Sequence, residues 1–387
     1  MTAAKPLLLF VVTEDWAFWS HRLPMAEAAM AAGFSVAVAC RVAAHRARIE
    51  ARGIRVLPLR HLRRESLNPF HEARAVAELV ALYRRERPAL VHHVALKPVL
   101  YGALAARLAG VPAAVNALAG MGFVFTATSL KARLLRPGIV TAFRLLLNRP
   151  GDRVLVQNPD DHALFVERGL VPAGRVVLIP GSGVDTDAFV PTPEQDGPPV
   201  ALCVARLLWD KGIGELVAAA RLLRDRGVPL RIQVAGDPDP ANPRAIPAET
   251  LAEWSAEGVV EFLGRRDDIA ALTARSHIAV LPSYREGMPK ALLEGAAGGR
   301  PLVTTDVPGC RALVADGVNG LLVPVRDPAA LADTLARLAL DPTLRRRLGA
   351  EARRQAEEIY SSRAIGAAVA GLYRSLVPTS APTAAPP

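Results

Sequence analysis

The sequence predicts an α/β protein built from two doubly wound, Rossmann-like domains. The chain has 387 residues, which favours two domains at about 100 to 200 residues each. Short apolar runs alternate with stretches of helical period, as in repeated βαβ units around a parallel sheet. The alternation stops once, in a polar, Pro-rich stretch at 191–199, and then restarts. Because such sheets bind ligands at the carboxyl ends of their strands, we expect both domains to face a central cleft.

The first half of the chain predicts an N-terminal domain over residues 1–180. Its apolar runs predict strands at 7–12, 35–39, 54–58, 90–93, 113–116 and 154–157. Amphipathic spacing predicts helices at 24–32, 74–85 and 100–109. Residues 13–22, which follow the first strand, are predicted to form a polar loop.

The second half predicts a linker at 181–199 and a C-terminal domain over 200–360. The predicted strands of this domain are 200–204, 230–235, 259–263, 277–281 and 301–304. Its predicted helices are 214–226, 289–298 and those from 329 onward. A last helix is predicted at 361–377, and one possibility is that it packs back on the N-terminal domain. The tail 378–387 is predicted to be disordered.

Charge is spread unevenly along the chain. The sequence has 47 Lys and Arg against 37 Asp and Glu, a net charge of +10. Residues 1–180 have 24 against 12, a net of +12, whereas residues 181–387 have 23 against 25, a net of −2. The basic half suits an anionic membrane surface. Nucleic-acid binding is a weaker explanation, because only 5% of the residues are aromatic and no binding module is recognisable.

Composition and short motifs exclude several other classes of protein. With 51% hydrophobic residues the chain is neither disordered nor collagen-like. Its three cysteines lie too far apart for a zinc site or a disulfide framework, which predicts a reducing compartment. The apolar run at 6–12 has no cleavage site and predicts no secretory signal. The uncharged window 108–130 contains Pro112 and Asn116 and is predicted as a strand and a Gly-rich loop, not a membrane helix.

The most informative motif follows the predicted strand 277–281. Glu286 and Glu294 are eight residues apart, and Pro289 suits the first turn of a helix. On one helix the rise between them is roughly 12 Å, too far for two carboxylates to share a proton. They would instead grip two ends of an elongated polyhydroxylated ligand, with a diphosphate at the helix N-terminus. A solvated loop residue and a helix-surface residue would give the same spacing.

A second motif follows the predicted strand 200–204. Arg206 and Lys211 are five residues apart on a strand-to-helix turn, which delivers a forked donor and a point charge to one diphosphate. Lys211 is one of only five lysines in the chain, and Gly212 follows it. Ordinary surface cations are the alternative interpretation.

Together these motifs resemble the retaining nucleotide-sugar glycosyltransferases of the GT-B fold, family 4. Residues 286–294 match the Glu-x7-Glu motif of that family, and nearly the whole chain shares the resemblance. Further blocks of the family lie at 180–185, 205–212, 235–237 and 316–323. The segments 92–102 and 157–161 are similar to members that extend lipid-diphosphate-linked sugars for surface polysaccharides or protein glycans.

The resemblance implies a role for each matching residue. The implied catalytic residues are Glu286, Arg206 and Lys211, of which the two cations would neutralise the donor diphosphate. Retention is explained by same-face attack in which the donor phosphate accepts the acceptor proton, so no protein nucleophile is implied. The implied donor-binding residues are Arg206, Lys211, Arg265, Glu286, Gly287, Met288, Pro289 and Glu294.

The sequence departs from the wider family in two loops of the first domain. Many members have a Gly-Gly pair where this chain has 13–22, and many have a sugar-contacting His where it has 117–122. The candidates for the acceptor diphosphate are His21, Arg22, His93 and Lys97. A structural role remains the alternative for each, since a His that ends a strand is often a satisfied core residue.

No metal site is predicted, and the UDP-sugar donor is the only small molecule expected besides the acceptor. Two Asp-x-Asp pairs, at 185–187 and 237–239, would bind a metal in GT-A enzymes, but one lies in the interdomain turn and the other follows a family Gly-Asp pair. The basic segment 131–136, with the apolar residues 139–147, suits either an anionic membrane surface or a solvated face over a core helix.

The resemblance implies retaining transfer of a hexose derivative, of the N-acetylhexosamine or uronic acid type. The donor would be a UDP-sugar and the acceptor a lipid-diphosphate-linked saccharide, in surface polysaccharide or glycan assembly. The expected location is the cytoplasm, at the cytoplasmic face of the inner membrane. Two alternatives stay open: a UDP-sugar 2-epimerase of the same fold, or a basic protein that binds nucleic acid or a membrane.

Overall fold

A computed structural model describes residues 4–63, 68–118, 130–240 and 242–378, with backbone alone for 130–135. The described chain forms two compact units. Unit 1 contains the residues up to Ser182 and those from Arg363 onward, and unit 2 runs from Gly183 to Ser362. The predicted loop 117–122 beyond Leu118, the side chains of 131–135 and the tail beyond 378 lie outside the described residues.

Unit 1 is built on a parallel seven-stranded sheet with the order β3-β2-β1-β4-β5-β6-β7. Its strands are β1 (Leu7–Glu14), β2 (Ser35–Arg41), β3 (Arg55–Pro58), β4 (Leu90–Val94), β5 (Ala113–Leu118), β6 (Asp152–Val156) and β7 (Val176–Leu178). The strand order reverses between β1 and β4. In doubly wound sheets, ligands bind outside the carboxyl ends of the strands at such a reversal.

The helices of unit 1 include several that the sequence analysis did not predict. The described helices are α1 (Asp15–His21), α2 (Leu23–Ala31), α3 (Arg46–Glu50), α4 (Pro69–Glu86), α5 (Leu96–Ala109), α6 (Leu130–Leu146) and α7 (Pro159–Glu167). The prediction of a polar loop at 13–22 is therefore wrong, because α1 lies within it. The buried carboxylate of Asp15 accepts the backbone N–H groups of Ala43 at 2.7 Å and His45 at 2.9 Å. This contact fixes the start of α1 through residues that are distant in sequence.

Unit 2 is built on a six-stranded parallel sheet with the order β10-β9-β8-β11-β12-β13. Its strands are β8 (Val200–Val204), β9 (Arg231–Ala235), β10 (Glu261–Gly264), β11 (Ile278–Leu281), β12 (Leu302–Thr305) and β13 (Gly320–Val323). The described helices are α8 (Ile213–Asp225), α9 (Ala248–Glu257), α10 (Ile269–Arg275), α11 (Lys290–Ala297), α12 (Cys310–Leu313), α13 (Pro328–Leu340) and α14 (Pro342–Glu358). The strand order here reverses between β8 and β11.

Residues 183–199, most of the predicted linker, belong to unit 2. Arg345 is 5% exposed and forms an ion pair with Glu194 at 2.8 Å. The equally buried Arg300 donates to Thr192 Oγ1 at 2.7 Å. Contacts with the buried guanidinium groups of Arg345 and Arg300 thus hold the segment 183–199 on unit 2, although it has no periodic apolar residues.

The last described helix, α15 (Ser362–Leu376), packs on unit 1. Val369 and Tyr373 are fully buried in the same core cluster as Phe10. The Tyr373 hydroxyl also lies 2.5 Å from Nδ1 of His92 on β4. Among the helices of the described residues, none has the length and apolar character that crossing a membrane requires.

Part of the segment 139–147 also contributes to the core of unit 1. Phe143 of α6 and Leu147 after it are fully buried, in one cluster with Val99 and Phe165. This apolar stretch therefore faces the protein interior through those residues, as the core-helix interpretation requires. Of the basic residues in 131–136, only Arg136 has a described side chain.

Candidate functional site

The two motifs of unit 2 follow the two strands that flank the reversal of strand order. Residues 206–212 come after β8, and residues 282–289 come after β11. The carboxyl ends of adjacent parallel strands meet at one edge of the sheet, where doubly wound sheets bind ligands. The fold therefore brings both motifs to the predicted place within this unit.

Backbone contacts hold the two motifs together. The Tyr284 N–H donates to the Asp210 carbonyl at 2.9 Å, and the Ser283 hydroxyl donates to the same oxygen at 3.0 Å. Gly212 has φ +69°, and a Cβ there would lie 2.0 Å from the Pro282 carbonyl oxygen. Only glycine fits this position, because it combines a left-handed conformation with a close backbone approach.

Lys211 and Glu286 meet at this junction. The Lys211 ammonium donates to Glu286 Oε1, and the two side chains are 21% and 13% exposed. Nearby, burial raises the pKa of the Cys203 and Cys310 thiols to about 12, so both remain protonated at neutral pH. The junction thus offers an ammonium that can bind a phosphate oxygen and a carboxylate that can accept sugar hydroxyls.

The loop that carries Glu286 ends in a helix that starts later than predicted. Helix α11 begins at Lys290, with Pro289 at the N-cap, so the prediction that Pro289 lies in the first turn is wrong. Glu286 precedes the helix, and the helical spacing to Glu294 does not apply. Gly309 has φ +82°, and a Cβ there would lie 2.5 Å from the carbonyl oxygens of Glu286 and Gly287. The neighbouring loop therefore supports this segment by close backbone contact.

Glu294 lies on α11 and is mostly buried. Its side chain is 12% exposed and lies 3.4 Å from the Lys290 ammonium. Burial raises the pKa of Glu294, and the charge of Lys290 offsets part of that effect. Gly295 sets the depth of the helix, because a Cβ there would lie 2.3 Å from the Cβ of Ala279 on β11.

The other two predicted cations of unit 2 are not part of the Lys211–Glu286 pair. Arg206 forms an ion pair with Asp239 at 2.5 Å and is 41% exposed. Arg265 is 71% exposed, with Asp267 at 3.9 Å. Both therefore lie on the outside of unit 2, with side chains that solvent reaches.

The two Asp-x-Asp pairs have partners within the protein. Asp239 binds Arg206, and Asp185 Oδ1 accepts the N–H groups of Asp187 and Ala188 at 3.0 Å each. Across the described part of the chain, no group of three or more His, Cys, Asp or Glu side chains is placed to hold a metal ion.

Of the acceptor candidates in unit 1, His93 is a structural residue. It is fully buried, and its ring nitrogens lie 2.8 Å from Asn116 Oδ1 and 3.0 Å from the Tyr83 hydroxyl. Burial lowers the pKa of His93 to about 4, so the ring is neutral. The prediction that His93 contacts an acceptor diphosphate is wrong, because both nitrogens are already used inside the core.

Lys97 is also engaged within the protein, whereas His21 is partly buried at the end of α1. The Lys97 ammonium binds Glu72 at 2.9 Å and donates to the Arg63 carbonyl at 2.9 Å. Glu72 engages Lys97 much as Glu286 engages Lys211 in unit 2, so the acceptor contact of Lys97 stays a prediction. The His21 ring lies 6.5 Å from that of Trp16, and its Nδ1 is 2.5 Å from the Ser20 hydroxyl.

Arg22 differs from the other acceptor candidates. It follows α1, is 3% exposed, and burial lowers its pKa to about 10. Its Nε has no hydrogen-bond partner, and its Nη1 lies 3.6 Å from the sulfur of Met25. Within the described residues no carboxylate pairs with it, and an uncompensated buried cation is costly.

Two family profiles match the chain. "Glycosyl transferases group 1" matches residues 198–341, and "Glycosyl transferase 4-like" matches residues 8–158. These two matches contain the sheet of unit 2 and most of the sheet of unit 1. The two halves of the chain thus each contain a glycosyltransferase family domain. These domains make it a glycosyltransferase, and so an enzyme, which confirms the resemblance carried by the motifs.

Curated relatives of this glycosyltransferase include two that act on lipid-linked sugars. It is 28% identical to the N,N'-diacetylbacillosaminyl-diphospho-undecaprenol alpha-1,3-N-acetylgalactosaminyltransferase of Campylobacter jejuni, over 76% of this chain and 79% of the relative. It is 26% identical to the UDP-Gal:alpha-D-GlcNAc-diphosphoundecaprenol alpha-1,3-galactosyltransferase of Escherichia coli, over 72% and 73%.

A solved structure supports the fold of the glycosyltransferase. Sucrose-phosphate synthase from Thermosynechococcus elongatus superimposes with a TM-score of 0.79 at 22% identity, over 97% of this chain and 100% of that chain. This likeness concerns the fold alone. The predicted GT-B class, with its two parallel-sheet α/β domains, is confirmed.

Proposed function

We propose that the protein transfers a hexose derivative, of the N-acetylhexosamine or uronic acid type, from a UDP-sugar to a lipid-diphosphate-linked saccharide, with retention. The observation that carries the proposal is the Lys211–Glu286 pair, where the loops after β8 and β11 meet. The Campylobacter relative is named for a diphospho-undecaprenol acceptor and the Escherichia relative for a UDP-sugar donor. Both names support this class of substrates.

On the donor side, different residues of unit 2 bind different parts of the nucleotide sugar. Lys211 neutralises the diphosphate, whose charge grows as the bond to the sugar breaks, and Arg206 adds a second cation. Glu286 exchanges its contact with Lys211 for sugar hydroxyls. Glu294, one helical turn into α11, accepts the ribose hydroxyls. The donor phosphate accepts the proton of the acceptor hydroxyl, so retention needs no protein nucleophile.

On the acceptor side, the buried guanidinium of Arg22 is our candidate for the acceptor diphosphate. It follows β1, one of the two strands that flank the reversal in unit 1. His21, next to it, is the second candidate. The basic excess of residues 1–180 favours peripheral binding of this half to an anionic, cytoplasmic membrane surface.

A panel of nucleotide sugars, offered with polyprenyl-diphosphate-linked monosaccharides, tests the proposal. We expect transfer from a UDP-sugar, with the donor's anomeric configuration in the product by NMR. An inverted anomer, or no transfer to any lipid diphosphate, would contradict it. Activity should survive EDTA, because the proposed donor contacts come from cationic side chains. A strict requirement for Mn²⁺ would contradict that part.

A further inference from the structure

Three side chains from separate segments meet beside the proposed donor site. Tyr284 belongs to the loop after β11, Glu215 to the first turn of α8, and Arg326 to the segment after β13. The Tyr284 hydroxyl donates to Glu215 Oε1 at 2.5 Å, and Arg326 Cζ lies 4.6 Å from the centre of the Tyr284 ring. Glu215 therefore fixes the hydroxyl of Tyr284, and Arg326 packs on the face of its ring.

Arg326 makes its contact from an unfavourable backbone conformation. Its φ is +61°, in the left-handed region that glycine occupies more easily than other residues. Strain of this kind persists where surrounding contacts over-determine it. The stack of the guanidinium on the Tyr284 ring is such a contact.

Glu215 depends on Tyr284 for its hydrogen bonding. Its Oε2 is buried without a partner among the described residues, and the Tyr284 hydroxyl donates to Oε1. Burial, together with the Glu215 carboxylate, raises the pKa of Tyr284 to about 12, so the hydroxyl keeps its proton and stays a donor at neutral pH. Loss of that hydroxyl would leave a partly buried carboxylate without its described donor.

The backbone of Tyr284 connects this cluster to the ion pair. The Tyr284 N–H donates to the carbonyl of Asp210, which directly precedes Lys211. Glu286 follows Tyr284 by two residues. Tyr284 is therefore linked through the backbone to both segments that carry Lys211 and Glu286.

We propose that Tyr284, Glu215 and Arg326 are positioning residues that hold Lys211 and Glu286 in register for the donor diphosphate and sugar. The inference rests on the proposed donor function of that pair. A displacement of about 1 Å in a reacting geometry can lower a rate by about a hundredfold. Loss of the cluster should therefore lower kcat more than it raises KM, because the rest of the donor keeps its contacts.

Four variants and one control test the assignment. Tyr284→Phe and Glu215→Ala each remove the hydrogen bond between these two side chains. The double variant Tyr284→Phe/Glu215→Ala removes both partners of that same single bond. Glu215→Gln keeps an acceptor oxygen. The control, Tyr360→Phe, removes another buried hydroxyl of unit 2, which donates to the Ala312 carbonyl at 3.2 Å.

Steady-state kinetics with the wild type's nucleotide sugar should separate these variants. We expect Tyr284→Phe and Glu215→Ala each to lower kcat by roughly tenfold. The double variant should have the same kcat as either single variant, because the two substitutions remove the same contact and their effects are not additive. Glu215→Gln should remain within about threefold of the wild type, because its amide oxygen still accepts the bond. Wild-type kcat in Tyr284→Phe, or equal losses in Tyr360→Phe, would overturn the proposal.

Hydrogen–deuterium exchange of the ligand-free protein gives an independent readout. Tyr284→Phe should speed exchange of the amides in 282–288, while the amides of unit 1 stay unchanged. Unchanged exchange in 282–288 would overturn the positioning role even if activity falls. If the wild type transfers no sugar at all, the proposed function fails, whereas exchange still decides whether the cluster holds the loop.

Discussion

The ion pair of Lys211 and Glu286 is better suited to binding than to stability. The two side chains are 21% and 13% exposed, and in a largely buried pair the desolvation of both charges offsets much of their attraction. A diphosphate can therefore replace the carboxylate as the partner of Lys211 at little cost to the fold. The pair keeps both side chains extended towards the junction in the absence of a ligand.

Replacement of Lys211 by Ala should abolish most activity and preserve the fold. We expect turnover to fall by roughly 10² to 10³, because no ammonium then neutralises the leaving diphosphate. The melting temperature should stay close to that of the wild type. The control is Lys5→Ala, at an exposed lysine of unit 1. Wild-type transfer rates in Lys211→Ala would refute the assignment.

Glu294 should make stability depend on pH in a defined direction. Burial raises its pKa in the folded state, so the native protein binds a proton more tightly than the unfolded chain, whose pKa is about 4.3. The free energy of unfolding should therefore decline as pH rises above that value through the folded pKa.

Urea unfolding of the wild type and Glu294→Gln between pH 4 and pH 8 checks this. The variant should gain stability over the wild type as pH rises, because a neutral amide carries no buried charge. It should also bind UDP about tenfold more weakly, since the amide is a poorer partner for ribose hydroxyls than a carboxylate. A stability difference that does not change with pH would contradict the expected effect of burial.

Single residues show where motif reasoning works and where it stops. The motifs named Lys211 and Glu286 but not their contact, which depends on the adjacency of β8 and β11 in the sheet. His93 and Lys97 carry the right chemistry for a phosphate. The partners of His93, however, come from segments that the motifs do not include, and they use both of its ring nitrogens.

At the level of elements, apolar runs predicted the buried parallel strands closely. Strand β8 has the predicted bounds, 200–204, because both faces of the strand are buried and its apolar run is continuous. Eight elements of three to ten residues were missed: the strands β7 and β13 and the helices α1, α3, α7, α9, α10 and α12. Such short elements carry no readable period, and for α1 the decisive contact is the buried Asp15, which binds residues of another loop.

Gly212 should be sensitive to substitution because two constraints meet there. Gly212→Ala should lower the free energy of unfolding by about 2 to 4 kcal/mol, since the left-handed φ and the contact with Pro282 both oppose a Cβ. Turnover should fall as well, because the loops that carry Lys211 and Glu286 are forced apart.

Gly227→Ala is the matched control for this prediction. Gly227 has φ +67°, but a Cβ there would meet nothing within 4 Å. Urea unfolding should show a loss of about 1 kcal/mol for this variant, with normal turnover. Equal stability losses for Gly212→Ala and Gly227→Ala would show that the close approach is unimportant.

At the scale of the whole molecule, the uneven charge becomes a property of one unit. The excess of +12 lies in residues 1–180, all of which belong to unit 1. Residues 181–387 are close to neutral and have a few cations at the proposed donor site, of which Lys211 is one. Long-range attraction to an anionic surface is therefore expected from unit 1, and short-range binding of the donor diphosphate from unit 2.

Vesicle sedimentation tests this division of charge. The full chain should bind vesicles that contain phosphatidylglycerol and dissociate as salt rises, because the screening length falls from about 10 Å at 0.1 M to about 3 Å at 1 M. Vesicles of phosphatidylcholine alone are the control. Equal binding to both kinds of vesicle would remove the electrostatic explanation.

The sequence by itself determined the fold class, the family and the identity of the motif residues of unit 2. These follow from local periodicity and from the spacing of charged residues with glycine and proline, which the chain carries within short segments. The tertiary structure alone decided which side chains meet: Lys211 with Glu286, Tyr284 with Glu215 and Arg326, and His93 with Tyr83 and Asn116. The physical reason is that strand order, not sequence distance, sets which loops become neighbours, and that burial then decides which polar groups remain available to a ligand.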